Sequence, residues 1–321
     1  MITLVTGSTG FIGSHLIDRL RILQQPFRCL SRRGSRNSLA AETPAVEADL
    51  STGEGLDRAL DGVSCVIHLA GVTKALRTAE YYSGNVGASA ILSKKMAGTG
   101  IRLVHVSSLA AVGPNPDATP LDEDAAPAPF THYGKSKLEA EKAVRSALPD
   151  AVVIRPPVVY GPRDTDVFKL LQSVARGFQL QIGRGERFFS AIYVRDLVDG
   201  LVAASRHPAA AGRTYFLSHP EPVTWTEFGA AAARILGCNA RVLRIPAPLA
   251  WLAGLGAEIT SSMMRKPGII SREKVAEAQC RYWTCDPHRA AHELGFVAST
   301  TLEQGLAETL AWYKEAGWLK P

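Results

Sequence analysis

Three groups of residues in this chain have the types and spacing that chemistry requires. Tyr133 and Lys137 stand four apart in Tyr133-Gly134-Lys135-Ser136-Lys137. On a helix that spacing puts the phenol and the ammonium on one face. A free phenol has a pKa of about 10, too high for proton exchange near neutrality, and a neighbouring ammonium lowers it by favouring the phenolate. Ser107 and Ser108 end an apolar run that begins at Leu103. A hydroxyl at the carboxyl end of a buried strand faces the crevice where α/β sheets bind ligands, and there it can donate to a carbonyl oxygen. The third group is Thr6-Gly7-Ser8-Thr9-Gly10-Phe11-Ile12-Gly13, directly after a first apolar run. Gly7 suits a tight turn, Gly10 a close backbone approach to a diphosphate, and Gly13 close helix–strand packing. Taken singly, each group also reads as ordinary structure: a solvated helix face, a turn-forming serine pair, a glycine turn.

Elements of the right kind lie on either side of these residues. Ile2–Val5, Phe27–Leu30, Pro44–Ala48, Cys65–Leu69, Leu103–Ser107 and Val152–Ile154 are short runs, apolar at consecutive positions. That pattern fits strands buried on both faces, as in parallel sheets. Helical patterns fill several intervals, notably Glu80–Met96 and Tyr133–Leu148. Strand–helix alternation predicts an α/β fold with a doubly wound parallel sheet. After Gly161 the rhythm breaks. Asp166–Arg176 and Val194–Ser205 read as helices, Arg187–Ile192 as a short extended piece, and Thr214–Leu217 as a strand returning to the main sheet. From Thr224 the chain is mostly helical, with loops at Pro246–Pro248 and Lys266–Gly268. The expected division is a dinucleotide-binding domain over 1–162, to which 191–218 returns, and a smaller substrate lobe over 163–190 and 219–321.

Composition narrows the class. The chain has 321 residues, 46% hydrophobic and 21% charged, which excludes a disordered or fibrous protein. The net charge of +6 comes from scattered basic residues without interleaved aromatics, so no nucleic-acid partner is expected. Cys29, Cys65, Cys238, Cys280 and Cys285 show no metal-ligand spacing. They read as reduced, mostly buried thiols, and no metal is expected. The uncharged stretch Ile245–Ala257 is thirteen residues long and broken by Pro246, Pro248, Gly254 and Gly256, so it is no spanning segment. With no signal pattern after Met1, a cytoplasmic location is expected.

Together, and in this order, these groups resemble the extended short-chain dehydrogenase/reductase family, also called the NAD-dependent epimerase/dehydratase superfamily. Further landmarks carry the resemblance: Asp49-Leu50, His68-Leu69-Ala70-Gly71, Asn85-Val86 and Arg155-Pro156-Pro157-Val158-Val159-Tyr160-Gly161-Pro162. The resemblance is strong over about 1–200 and more diffuse through Tyr282-Trp283, Leu294-Gly295-Phe296 and Trp312-Tyr313. It implies a Rossmann fold and hydride transfer, with Ser108, Tyr133 and Lys137 as the catalytic set. It also implies cofactor contacts from Gly7, Thr9, Gly10, Phe11, Ile12, Gly13, Asp49, Leu50, Leu69, Ala70, Gly71, Tyr133, Lys137, Pro156 and Val158, with Asn85 supporting the site. A homodimer through Glu80–Met96 and Tyr133–Leu148 is expected by analogy.

Within the family the motifs look closest to the 3β-hydroxysteroid dehydrogenase and dihydroflavonol reductase group. Val158 stands where sugar-nucleotide enzymes of the family often carry Asn, and Leu109-Ala110 where their dehydratases carry an acidic pair. The run from Ser107 to Gly113-Pro114-Asn115 also resembles the hydroxysteroid group. The expected reaction is therefore between a nicotinamide and a ketone or secondary alcohol on a largely apolar small molecule. The alternative is a nucleotide-sugar epimerase or dehydratase, for which Arg163, Arg176, Arg184, Arg187 and Arg195 offer a diphosphate clamp. A non-catalytic NADP-sensing regulator is a minor alternative, disfavoured because Ser108, Tyr133 and Lys137 are all present. The second strand ends in Ser31-Arg32-Arg33, with no carboxylate before Glu42. A guanidinium there can pair with a 2′-phosphate that a carboxylate would repel, so NADP is expected over NAD. Arg32 is the main ligand in that reading, with Arg33 and Arg36 adding charge.

Three other features have bland readings. Asp196 is expected to charge a helix start, and His132 to be a helix-entry residue. Leu249, Trp251, Leu252 and Leu255 are expected to pack inside the smaller lobe, with a membrane-dipping or substrate lip as the alternative.

Overall fold

The computed structural model describes residues 2–32, 42–264, 268 and 271–319. Strands β1 (Ile2–Thr6), β2 (Phe27–Ser31), β3 (Ala45–Glu47), β4 (Val63–His68), β5 (Arg102–Val106) and β6 (Val152–Ile154) carry the apolar runs. Helices α1 (Phe11–Ile22), α2 (Leu56–Leu60), α3 (Thr78–Tyr81), α4 (Ala88–Met96) and α5 (His132–Ala147) lie between them. The second half holds β7 (Val158–Tyr160), α6 (Asp166–Ala175), β8 (Phe178–Ile182), β9 (Phe188–Phe189), β10 (Ala191–Tyr193), α7 (Val194–Arg206) and β11 (Thr214–Tyr215). It continues through β12 (Val223–Thr224), α8 (Trp225–Leu236), β13 (Arg241–Ile245), α9 (Ala247–Met264), α10 (Arg272–Gln279), β14 (Tyr282–Trp283), α11 (His288–Leu294) and α12 (Leu302–Glu315).

Among the described residues, seven strands form one parallel sheet in the order β11-β6-β5-β4-β1-β2-β3. The order reverses between β1 and β4, and the ligand crevice of such a sheet opens at that switch point. Both faces are covered. Leu16, Ile17 and Leu20 of α1 and Leu197, Val198 and Leu201 of α7 pack on one face with Val5, Ile67 and Val104. Leu56 and Leu60 of α2, Leu92 and Met96 of α4, and Val144 of α5 pack on the other with Leu4, Val66 and Leu103. This is a doubly wound Rossmann fold, and its apolar-on-both-faces strands are why the runs showed no alternation. The strand at 214 does return to the sheet, pairing with β6. Ala290, Leu294 and Ala298, far downstream, pack into the same core.

A second core forms from Tyr160, Val167, Leu171, Phe189, Phe228, Leu306, Leu310 and Tyr313. Around it the strands are short and paired locally: β7 with β10, β9 with β12 and β14, and β8 with β13. The helix expected over Glu80–Met96 is not continuous. A π-helical turn over Tyr82–Gly87 separates α3 from α4. The reason is local. Asn85 is turned inward, accepting from Val72 N–H at 2.7 Å and donating to the Val72 carbonyl at 3.1 Å and to Ser136 Oγ at 2.9 Å. An extra residue in the turn aims that amide at the crevice, a common use of π-bulges.

Candidate functional site

The first helix begins at Gly10 with no side-chain cap, so its leading N–H groups face the crevice undistracted. A Cβ on Gly13 would lie 2.1 Å from the Gly7 carbonyl, so α1 can sit this close to its own loop only with glycine there. Uncapped N–H donors at the positive end of a helix are the donor set a diphosphate needs, so these residues fit a dinucleotide. The other predicted contacts converge on the same edge. Ser31 ends β2, with Arg32 exposed beside it. Leu69, Ala70 and Gly71 follow β4, and Ala70 N–H donates to Thr6 Oγ1 at 3.1 Å. Asp49 and Leu50 follow β3, and the Asp49 carboxylate accepts from Ser51 N–H at 2.7 Å and from its hydroxyl at 2.6 Å. Those bonds, with a smaller contribution from the Arg32 charge, hold Asp49 below the usual carboxylate range. Arg33 and Arg36 lie outside the described residues.

Behind the crevice is a buried polar network. His68 Nδ1 bonds Thr6 Oγ1 at 2.7 Å and its Nε2 bonds Ser89 Oγ at 3.0 Å. Burial pushes His68 down to about 3, so it is a neutral spacer between β1 and α4. Glu141 accepts two parallel bonds from Arg155, at 3.0 and 2.7 Å, and one from Ser107. Ser107 is thus committed to structure, which leaves Ser108 as the hydroxyl facing the crevice.

Ser108 caps a short 3₁₀ turn over Leu109–Ala111, accepting from Ala110 N–H at 3.2 Å. Thr131 caps α5 by accepting from Gly134 N–H at 3.1 Å. Gly134 matters for a second reason. A Cβ there would meet the Ala110 carbonyl at 2.3 Å, so glycine lets the start of α5 lie against the Ser108 turn. Tyr133 and Lys137 follow on one helix face. Lys137 is buried and donates to the Val106 carbonyl at 2.7 Å, and burial lowers its pKa to about 8. Burial raises the Tyr133 phenol; a hydrogen bond with Ser108 and the charge of Lys274 pull it back.

Lys274 is a site residue that the sequence reading missed. It lies on α10, its Nζ 6.0 Å from the centre of the Tyr133 ring and 2.6 Å from Glu277. The neighbouring Glu273 carboxylate accepts from the backbone N–H of His132, both oxygens at 3.2 Å, at the positive end of α5. No local motif marks α10. Only its packing across the mouth of the crevice brings it here.

A cavity of about 610 Å³ runs from Ser108 and Tyr133 beneath the second lobe. Leu170, Leu180, Ile182, Phe188, Trp225 and Trp283 give it broad apolar walls, and Val158 and Leu109 lie on its floor side with Tyr133. Of the five arginines of the expected clamp, Arg187 alone lines it. Arg163 pairs with Asp18 at 2.7 Å and Arg195 with Glu308 at 2.6 Å, while Arg176 and Arg184 are exposed elsewhere. Asp196 is buried and accepts from Thr300 N–H and Oγ1, both at 2.9 Å, and so anchors a loop from inside the first turn of α7. His132 opens α5 and its ring meets the Tyr82 hydroxyl at 3.3 Å.

Residues 3–217 match the family model described as the NAD dependent epimerase/dehydratase family. The chain belongs to this family. Its members are NAD-dependent enzymes, and this chain is one of them. Along nearly its whole length it resembles the ceramide reductase of Caulobacter vibrioides, 32% identical over 98% of this chain and 95% of that protein. It also resembles the N-acetyl-alpha-D-glucosaminyl-diphospho-ditrans,octacis-undecaprenol 4-epimerase of Escherichia coli O157:H7, 28% identical over 96% and 94%. Its fold is shared with the Thermus thermophilus UDP-glucose 4-epimerase solved with NAD, with a TM-score of 0.78 at 21% identity, covering 98% of this chain and all (100%) of that one.

Proposed function

We propose that this enzyme transfers hydride between a nicotinamide cofactor and a ketone or secondary alcohol on an apolar, lipid-sized molecule. The observation that carries this is the apolar part of the cavity wall: Leu170, Leu180, Ile182, Phe188, Trp225 and Trp283. Charged groups such as Lys74, Glu258 and Lys274 also line the cavity, but only one arginine of the candidate clamp reaches it. The ceramide reductase relative, similar from end to end, supports the same class. When bound, the nicotinamide supplies the hydride. Tyr133 exchanges the proton at the substrate oxygen, which Ser108 holds by a hydrogen bond. Lys137 binds the cofactor ribose, and the charge of Lys274 on the lobe side favours the Tyr133 phenolate.

The test is NADPH and NADH oxidation against long-chain ketones, with Tyr133→Phe as the blank. A loss of about 10²–10⁴-fold in kcat with cofactor affinity kept is expected of a general acid. Near-normal turnover in that variant overturns the assignment. The sugar-nucleotide reading rests on Arg187 and on the epimerase relative. Micromolar binding of UDP, GDP or dTDP to the cofactor-loaded enzyme would establish it instead.

For the cofactor, Arg32 beside the buried Ser31 supports NADP over NAD. Arg32→Ala should weaken NADPH binding by about one to two decades, the worth of one bond to a charged group, and leave NADH nearly unchanged. Equal losses for both overturn this reading.

A further inference from the structure

The outer wall of the cavity is built inside out. In β8 the polar Gln179 and Gln181 point inward, held by the Trp225 carbonyl and by Thr226 Oγ1, while Phe178 and Leu180 face outward. Parallel pairing sets Leu243 of β13 beside Leu180 and Arg241 beside Phe178. A two-stranded ribbon that packs on a core ordinarily does the reverse. Helix α9 repeats the inversion. Its small residues Ala250 and Gly254 are buried, Gly254 against the backbone at Ser271–Arg272, while Leu249 and Leu252 are each 57% exposed, Trp251 is 43% exposed and Met264 70%. The expectation that Leu249, Trp251 and Leu252 pack inside the lobe is therefore wrong. Small residues on the packed side let α9 lie close to α10 and leave the bulky ones outside.

An apolar face of this kind on a soluble surface calls for an occupant. Its charge selects one. Arg241 stands exposed on the outer face of β13 beside Phe178, and the exposed Arg176 and Arg184 bracket β8. None of the three has a carboxylate partner among the described residues, whereas the one carboxylate of α9, Glu258, is taken by Arg272 at 2.8 Å. Apolar side chains flanked by unpaired arginines match an anionic lipid interface, where Trp and Leu enter the acyl boundary and Arg stays at headgroup level. No helix among the described residues is long and apolar enough to cross a membrane, so this contact is peripheral. Leu180 belongs both to this face and to the cavity lining, so the face leads into the cavity.

We propose that β8, β13 and α9 form a docking surface for an anionic lipid bilayer, which delivers an apolar substrate directly to the cavity. This rests on the lipid-sized substrate class given above. The test is sedimentation of the full chain with phosphatidylcholine vesicles, pure or containing roughly one-third phosphatidylglycerol. The wild type should bind the anionic vesicles and ignore the neutral ones. Arg241→Gln with Arg176→Gln should weaken binding about 25-fold, at about fivefold per arginine. Trp251→Glu with Leu252→Glu should weaken it at least about tenfold, since both side chains would leave the acyl boundary. Both variants should keep the melting temperature and the turnover of a short, water-soluble ketone, because neither pair lines the cavity. Equal binding by wild type and variants, or none by the wild type, overturns the proposal. So does a dimer in solution that the Trp251/Leu252 variant splits, which would give the face to a second copy. Vesicle binding is read without turnover. Binding with no activity on any lipid ketone refutes the substrate class alone, and lipid-ketone activity in detergent without vesicle binding refutes the docking surface alone.

Discussion

The two walls of the crevice are held by different physics. On the sheet side most polar groups near the Tyr133 face of α5 have partners: Ser107 and Arg155 on Glu141, Lys137 on Val106, Asn85 on Val72 and Ser136, with the His105 ring and one Arg155 nitrogen left unpaired among the described residues. Backbones approach so closely that two glycines have no room for a methyl group. On the lobe side, β8 and β13 pair only with each other, and α9 touches its neighbour through small residues. Buried, largely hydrogen-bonded networks specify one geometry, while a wall with few buried apolar contacts tolerates change. On the proposed function, the chemistry would sit on the rigid side and substrate choice on the loose one.

The comparison breaks most visibly at Glu141. Glu141→Leu leaves the Arg155 guanidinium buried without its partner and should cost about 3–5 kcal/mol, seen as a large fall in urea midpoint. Replacing both, Glu141→Leu with Arg155→Met, should recover much of that loss. If the single substitution is as mild as the double, the sheet-side network is not what holds this wall. Next in size is Gly13→Ala. A methyl 2.1 Å from the Gly7 carbonyl forces backbone movement costing about 3 kcal/mol and should abolish cofactor binding measured by fluorescence.

A smaller effect follows from Lys137. Its pKa is lowered to about 8 by burial, so the ammonium is present below that pH and lost above it. Cofactor affinity of the free enzyme should accordingly fall as pH rises through about 8, and Lys137→Met should bind weakly and without that inflection. An unchanged inflection in the variant would assign it to another group. The smallest effect is expected on the lobe side. Leu243→Ser, on the exposed face of β13, should change stability by no more than about 0.5 kcal/mol in the same urea titration. A loss as large as that at Gly13 would mean that the outer wall is no less constrained than the inner one.

How far each wall could be read in advance follows the same division. The sheet strands were legible because burial on both faces demands unbroken apolar runs, and β6 spans the expected Val152–Ile154. The strands β7, β8 and β13 were not, because a three-residue or five-residue pairing outside the main sheet carries no such demand. Gln179 and Gln181 turn inward to bond the start of α8.

By itself the sequence determined the parallel sheet, the glycine loop at its switch point, and the presence of Tyr133, Lys137 and Ser108 at the ends of identifiable elements. These are local matters: turn geometry, helical spacing and strand burial act over a few residues. Tertiary structure alone decided that Ser107 is occupied by Glu141 while Ser108 is left to the crevice. It also decided that Asn85 needs a π-turn to reach Val72, that one arginine of five enters the cavity, and that Lys274 stands over Tyr133. Each depends on which surfaces meet between segments well separated in the chain or on competition for one buried carboxylate, and no run of neighbouring side chains encodes the outcome of such a competition.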